Sequence, residues 1–232
     1  VGSSVIHSNM LREGSSLSGI DVGTSNNASI IGNTIDDVGS AATGIQLAAS
    51  DIFGIYVNDV IKVNITNNSV RDVGSNAENN TAFIKVGDDV GSSVIHSNML
   101  REGSSLSGID VGTSNNASII GNTIDDVGSA ATGNASTSTV FIRGNSTGAK
   151  VSDNVLVASD TETSPFGIYW AGAGSQTQIS NNILKAATPG GASFRDYGIR
   201  VLGTDMDYRG PNVITYFYER GVVFRIRSNI SD

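Results

Sequence analysis

The 232-residue chain contains no cysteine, so it can build neither a disulfide framework nor a thiolate metal site, and its redox compartment stays open. Basic residues are outnumbered 14 to 22, and the resulting net charge of −8 argues against nucleic acid, whose phosphates need a basic stripe. No apolar run approaches the roughly 18 residues that cross a bilayer, and no basic segment followed by an apolar one opens the chain. The expectation is a soluble chain without membrane insertion, with Val1 as the start of a mature product or an excised fragment. Proline is scarce, at 3 residues, whereas glycine reaches 28 and Ser, Thr and Asn abound. That composition is turn chemistry, spread along the whole length. Hydrophobic residues make up 38%, enough for a core.

The charge imbalance is uneven. From Arg195 onward six Arg face five acidic residues, while residues 1–194 carry eight basic and seventeen acidic ones. Sequons at Asn27, Asn64, Asn116 and Asn145 are expected by chance in a chain so rich in Asn, Ser and Thr.

Two levels of repetition organise the sequence. Val1–Gly44 is identical to Val90–Gly133, an offset of 89 residues over 44 positions. Selection for packing would preserve only buried positions, so identity at exposed ones implies a recent duplication or deliberate construction. Beneath it lies a degenerate repeat, apolar-x-x-Asn-x-apolar. It reads Ile6-Asn9-Leu11, Ile30-Asn33-Ile35, Ile65-Asn68-Val70, Ile95-Asn98-Leu100, Ile119-Asn122-Ile124, Val151-Asn154-Leu156 and Ile179-Asn182-Leu184, with a weaker eighth at Asn212 and Ile214. Successive anchor asparagines are 24, 35, 30, 24, 32, 28 and 30 residues apart. Most are followed by a second short β-branched segment: Gly19–Val22, Gly54–Val57, Phe83–Val86, Gly108–Val111, Gly167–Trp170, Gly198–Val201 and Gly221–Phe224. Alternation of this kind is strand periodicity.

A unit of about 30 residues cannot bury its apolar face alone, but stacked units cover one another. The chain therefore reads as an all-β parallel solenoid of about eight coils. Asparagine at a fixed place in each coil can form an axial ladder of side-chain amides. The offset of 89 then spans three coils and keeps the stack in register. Residues 1–207 are assigned to the solenoid and 208–232 to a final aromatic-rich coil or cap of the same domain.

The pattern Ile-x-x-Asn-x-Ile followed by Gly-Ile-x-Val resembles the repeats of right-handed, single-stranded parallel β-helices of the pectate-lyase-like superfamily, among them phage tailspikes and bacterial or archaeal surface proteins. The resemblance covers nearly the whole chain. It implies extracellular, cell-surface or virion-borne work on polysaccharides, either gripping or cleaving them, while the fold alone specifies no reaction.

Two outward columns are the candidate sites. The middle residue of each Gly-Ile-x-Val strand faces out, which gives Asp21, Tyr56, Lys85, Asp110, a poorly registered coil near Phe141 and Arg143, then Tyr169 and Arg200. Aromatic rings interleaved with charges suit a sugar chain, whose apolar faces rest on rings while its hydroxyls take hydrogen bonds; they also suit any exposed sheet. The second column, two residues past each anchor repeat, is Glu13, Asp37, Asp72, Glu102 and Asp126. Stacked about 4.8 Å apart, these carboxylates would raise one another's pKa or recruit a cation such as Ca2+. Asp37, Asp72 and Asp126 are the candidate catalytic carboxylates, since glycosidases use such pairs. Equally, each precedes Val-Gly-Ser and would serve as the acceptor of an Asx-turn. The preceding residues, Arg12, Asp36, Arg71, Arg101 and Asp125, place basic side chains beside the ladder.

Other chemistry is excluded. His7 and His96 are copies of one position, three coils or about 14 Å apart, too far to share a metal. No nucleophile elbow accompanies them. Gly172-Ala-Gly174 lacks the third glycine of a nucleotide loop, and the calcium-binding nonapeptide of other solenoids is missing. No cofactor and no bound metal are expected.

Seven of the fourteen aromatics (Phe194, Tyr197, Tyr208, Tyr216, Phe217, Tyr218, Phe224) follow residue 193, beside Arg209, Arg220, Arg225 and Arg227. Such a coil would cap the solenoid or support a homotrimer or an end-to-end assembly. The N-terminal coil has no comparable cap, which suggests that a preceding coil, domain or subunit covers it. The expected function is a carbohydrate-contacting β-helix, tailspike- or adhesin-like, binding polysaccharide along its lateral face. A polysaccharide lyase or glycoside hydrolase of the same fold is the second reading. A purely structural or engineered solenoid is the third.

Overall fold

The computed structural model describes residues 2–14, 18–39, 51–74, 81–103, 107–113, 116–127, 140–158, 166–171, 177–186, 198–202, 206–208, 212–215 and 222–225. The first turns of the chain are Ser3–His7 (β1), Met10–Gly14 (β2) and Ser18–Val22 (β3), then Ser25–Ile31 (β4), Thr34–Val38 (β5) and Ile52–Val57 (β6). Val60–Thr66 (β7), Ser69–Val73 (β8) and Thr81–Val86 (β9) precede Ser92–His96 (β10), Met99–Gly103 (β11) and Ser107–Val111 (β12). Ser118–Ile120 (β13), Thr123–Val127 (β14) and Val140–Gly144 (β15) lead to Lys150–Ser152 (β16), Val155–Ala158 (β17) and Phe166–Trp170 (β18). Last come Thr177–Ser180 (β19), Ile183–Ala186 (β20) and Ile199–Leu202 (β21), then Met206–Tyr208 (β22), Val213–Thr215 (β23) and Val222–Arg225 (β24).

Every third strand joins the same sheet. Sheet A runs from β1 to β22, sheet B from β2 to β23 and sheet C from β3 to β24, each with eight strands in chain order. All described pairings are parallel. The chain is therefore an all-β parallel solenoid of three faces, with no helix among the described residues.

Register aligns like with like, because each coil covers the apolar residues of the next. On sheet A, Ile30 pairs with Ile65 and Ile65 with Ile95. On sheet B, Ile35, Val70, Leu100, Ile124, Leu156 and Leu184 follow one another. Sheet C stacks Ile20, Ile55, Ile84, Ile109, Ile142, Ile168 and Ile199. From Ile30 inward these side chains are essentially inaccessible, and each fully buried one contributes on the order of 1.5–3 kcal/mol.

Three sheets need bends, and the bends use left-handed backbone. The residue before each ladder asparagine has positive φ at Ser8, Gly32, Asn67, Ser97, Gly121, Asp153 and Asn181. Only Gly32 and Gly121 adopt it without a Cβ penalty. The apolar pair of the anchor repeat thus sits on two strands meeting at a corner, and the asparagine marks the turn. Asparagines 9, 33, 68, 98, 122, 154, 182 and 212 form one continuous ladder: each Nδ2 donates to the next Oδ1 at 2.9–3.0 Å. From Asn33 onward each also donates to a backbone carbonyl of the previous turn, as Asn98 does to Ile65 at 2.9 Å.

Packing irregularities compensate one another. Phe83 and Phe141 occupy the place that Gly19, Gly54 and Gly108 hold in other turns and are fully buried. A Cβ on Gly103 would meet the Phe83 ring, and one on Gly144 would meet Trp170. Trp170 fills that gap while its indole N–H donates to the Ser146 carbonyl at 3.0 Å. The aromatic cap expected over 208–232 lies largely outside the described residues, of which only Tyr208, 212–215 and 222–225 belong to it.

Candidate functional site

Sheet C carries the first candidate column. Its pairings place Asp21 beside Tyr56, Tyr56 beside Lys85, Lys85 beside Asp110, Asp110 beside Arg143, Arg143 beside Tyr169, and Tyr169 beside Arg200. All seven therefore stand on consecutive rungs. Arg143, which spacing left poorly registered, is the fifth member. Asp21 and Arg143 are exposed and the other five half-buried, as outward strand positions should be.

Neighbours along the column hold one another. Lys85 Nζ lies 2.9 Å from Asp110 Oδ2, with side-chain exposures of 25% and 16%, so this pair is shielded enough to be ordered. The Arg200 guanidinium sits 5.5 Å from the Tyr169 ring centroid in a cation–π contact. Tyr56 stacks on Phe53, with centroids 5.1 Å apart and planes 18° apart. Partial burial, and then the Asp21 carboxylate, push the Tyr56 phenol above its ordinary pKa, so it remains a hydrogen-bond donor at neutral pH. Phe53 was missed by sequence reasoning, because strict alternation from Tyr56 places a residue three positions back inside. Pairing steps over Gly54, whose Cβ direction points at Val70 and Val73, so alternation restarts there: Ser18 pairs with Phe53 and Ile20 with Ile55, and Phe53, buried at 8% exposure, lies beside Tyr56.

The second column lies on sheet B. Asp37, Asp72, Glu102 and Asp126 all have positive φ, at 66°, 54°, 48° and 58°, and Glu13 holds the same place in β2. Pairing skips these residues: Asp36 aligns with Arg71 and then Val38 with Val73. The left-handed step breaks the alternation, so Ile35 and Val38, three apart, both face the core. Asp is among the few residues that tolerate this backbone. Oδ1 of Asp37 and of Asp126 is buried without a hydrogen-bond partner among the described residues.

Its electrostatics are mixed. Partial desolvation, and next the Asp37 carboxylate one rung away, raise the Asp72 pKa against the opposing pull of Arg71. Desolvation and Asp126 raise Asp125 in the same way. Arg71 donates to Glu102 Oε2 through Nε at 3.0 Å and Nη2 at 2.6 Å. Asp37 and Asp72 are on adjacent rungs, whereas Asp126 is separated from Asp72 by Glu102. Among the described residues no group of three or more His, Asp or Glu side chains is placed to hold a metal ion.

The histidines stand apart from both columns. His7 is exposed with Nδ1 2.9 Å from Ser8 Oγ, and His96 is half-buried with Nδ1 3.1 Å from Ser97 Oγ. No helix among the described residues is long and apolar enough to cross a membrane. Comparison with protein-family models, curated proteins and solved structures returns no significant match to the chain.

Proposed function

We propose that this chain is an extracellular, carbohydrate-contacting β-helix of the tailspike or adhesin kind, with a polysaccharide lying along the outer face of sheet C. The observation that carries this reading is the unbroken column from Asp21 to Arg200, six rungs or about 29 Å long. An extended sugar chain presents alternating apolar ring faces and hydroxyl edges. Tyr56 and Tyr169 offer stacking surfaces, with Lys85, Asp110, Arg143 and Arg200 supplying donors and acceptors between them. The cation–π and ion-pair contacts hold these groups in place before ligand arrives, which lowers the ordering cost of binding. A right-handed winding of about eight coils, as in the pectate-lyase-like superfamily, is part of the proposal, favoured because parallel crossovers within one sheet are nearly always right-handed.

A lyase or hydrolase reading has its own support in the raised Asp72 beside Asp37, the kind of like-charge pair that general acids use. The duplicated segment weighs against it. A copied binding face adds valency, whereas an active site needs one unique constellation. A purely structural solenoid draws on the same duplication.

Retention on a panel of immobilised acidic and neutral polysaccharides separates these readings, with reducing ends and the absorbance of unsaturated sugars followed in parallel. Binding without turnover, weakened at least tenfold in Tyr56→Ala and Tyr169→Ala, is the expected result. Turnover lost in Asp72→Asn would replace it with the enzymatic reading. Neither retention nor turnover on any glycan would leave the structural one.

A further inference from the structure

The outer column of sheet C sorts its charges by position. Asp21 and Asp110 are copies of one residue, carried by the duplication onto rungs three apart, and they meet different neighbours. Asp110 is ion-paired at 2.9 Å with Lys85 on the rung before it, which leaves the middle of the column neutral. Asp21 is exposed, has Tyr56 on the next rung and makes no ion pair among the described residues. More carboxylates gather at that end: partial burial first, then Asp21, Asp59, Asp51 and Asp88, push the Tyr56 phenol above its ordinary pKa. Past the neutral pair the sign reverses. Arg143 and Arg200 stand one rung either side of Tyr169.

The two aromatic positions therefore select differently. Arg143 is exposed and has no carboxylate in ion-pair reach among the described residues, while Arg200 is held over the Tyr169 ring at 5.5 Å. A guanidinium stacked on a ring keeps its N–H edges, and their fork matches a carboxylate. The two arginines are two rungs or about 10 Å apart, so an anion on a sugar seated at Tyr169 lies within about one Debye length of both at 0.1 M salt. At Tyr56 the same anion would face the carboxylates of Asp21, Asp51, Asp59 and Asp88. An uncharged sugar suits that ring, since its apolar face can rest there without bringing a like charge. Tyr56 and Tyr169 are four rungs or about 19 Å apart, a span that one extended sugar chain covers. The chain's net charge of −8 also disfavours a densely anionic polymer.

We propose that the glycan is an acidic heteropolysaccharide in which uronate sugars are interspersed with uncharged ones, a uronate carboxylate lying between Arg143 and Arg200 and an uncharged sugar over Tyr56. A polymer with a carboxylate on every sugar fits less well, because it sets one of them against the acidic end of the column. This rests on the glycan reading of sheet C and adds the charge pattern that the face accepts and the one it rejects.

Titration calorimetry of the whole chain tests this with polymers of defined charge pattern. Hyaluronan and unsulfated chondroitin alternate a uronate with an uncharged acetylated amino sugar, alginate and polygalacturonate carry a carboxylate on every sugar, and dextran carries none. At least one alternating polymer should bind roughly tenfold or more tighter than both homopolyuronates and than its own carboxyl-reduced form, with the margin narrowing as salt rises. Arg143→Gln should weaken that binding by roughly tenfold at an unchanged urea midpoint, since Arg143 is exposed. Asp21→Lys should tighten the binding of alginate by about threefold or more, because it removes a like charge. Homopolyuronates that bind as tightly as the alternating polymers, carboxyl reduction without effect, or an Arg143→Gln chain of unchanged affinity would each overturn the proposal while glycan binding itself stands. So would binding of dextran alone. Binding of none of these polymers, nor of any on the wider panel, would remove it together with the glycan reading.

Discussion

Replacing Asn98 by alanine isolates the ladder, because the identical residue Asn9 provides an internal control in the same local sequence. Asn98 is 2% exposed. Its Oδ1 accepts two N–H groups of Asn68, and its Nδ2 donates to the Ile65 carbonyl and to Asn122 Oδ1. Truncation leaves the Asn68 backbone N–H, one Asn68 amide hydrogen and the Ile65 carbonyl without these partners; Asn122 Oδ1 keeps the Asn98 backbone N–H at 3.0 Å. Two buried donors left without an acceptor, at about 1–3 kcal/mol each, give roughly 2–6 kcal/mol, a large share of the ~5–15 kcal/mol typical of a whole domain. Asn9→Ala deletes one exposed donation to Asn33 Oδ1, which keeps the Asn9 backbone N–H at 3.0 Å. Its cost should be about 0.5–1.5 kcal/mol. Urea unfolding of both variants, followed by far-UV circular dichroism, should show Asn98→Ala at least twice as destabilising, or unfolded from the outset. Equal losses would mean that the ladder stabilises nothing beyond one exposed hydrogen bond.

Asp72→Asn should raise the melting midpoint at pH 7. The Asp72 pKa is raised in the folded chain, so its stabilising contribution is fully present below the ordinary carboxyl value, about pH 4, and is lost as pH rises through the folded value. Asparagine keeps the left-handed backbone tolerable, so the advantage of the variant should shrink on acidification; a gap independent of pH would refute the repulsion. Gly54→Ala should lower the urea midpoint by about 1–3 kcal/mol equivalent, because its Cβ would fall 2.6 Å from both the Phe83 carbonyl oxygen and Val70 Cγ1. An unchanged midpoint would mean that the strands are spaced more widely there.

Much of this architecture was legible because solenoid physics repeats itself in sequence. Ile30, Ile65 and Ile95 recur at the same distance from an asparagine since each must cover the last, and the offset of the duplication maps β1 onto β10, three turns on. The corner inside the anchor repeat was harder to read. Ile6 and Leu11 are five apart, an odd spacing that a single strand would send to opposite faces, and only the left-handed Ser8 between them reconciles it. Arg143 escaped registration because Gly144 stands where the equivalent strands close on Val or Trp, besides Phe141 standing where most of them open on glycine. Asp37, Asp72 and Asp126 stood out as a column of charge, while the reason for their type is the backbone they must adopt, which no composition displays. Phe53 was hidden by the skipped register at Gly54.

The parallel stacking of equivalent side chains underlies every column described, and electron-spin distance measurement examines it directly in a chain free of native thiols. Nitroxides at Asp21→Cys and Arg200→Cys, six rungs apart on sheet C, should give a single distance centred near 29 Å, about 4.8 Å per rung. The pair at Asp21→Cys and Arg143→Cys, four rungs apart, should fall near 19 Å. Distances that fail to grow with rung number, or a broad distribution for both pairs, would contradict the stack and the glycan-facing column built on it.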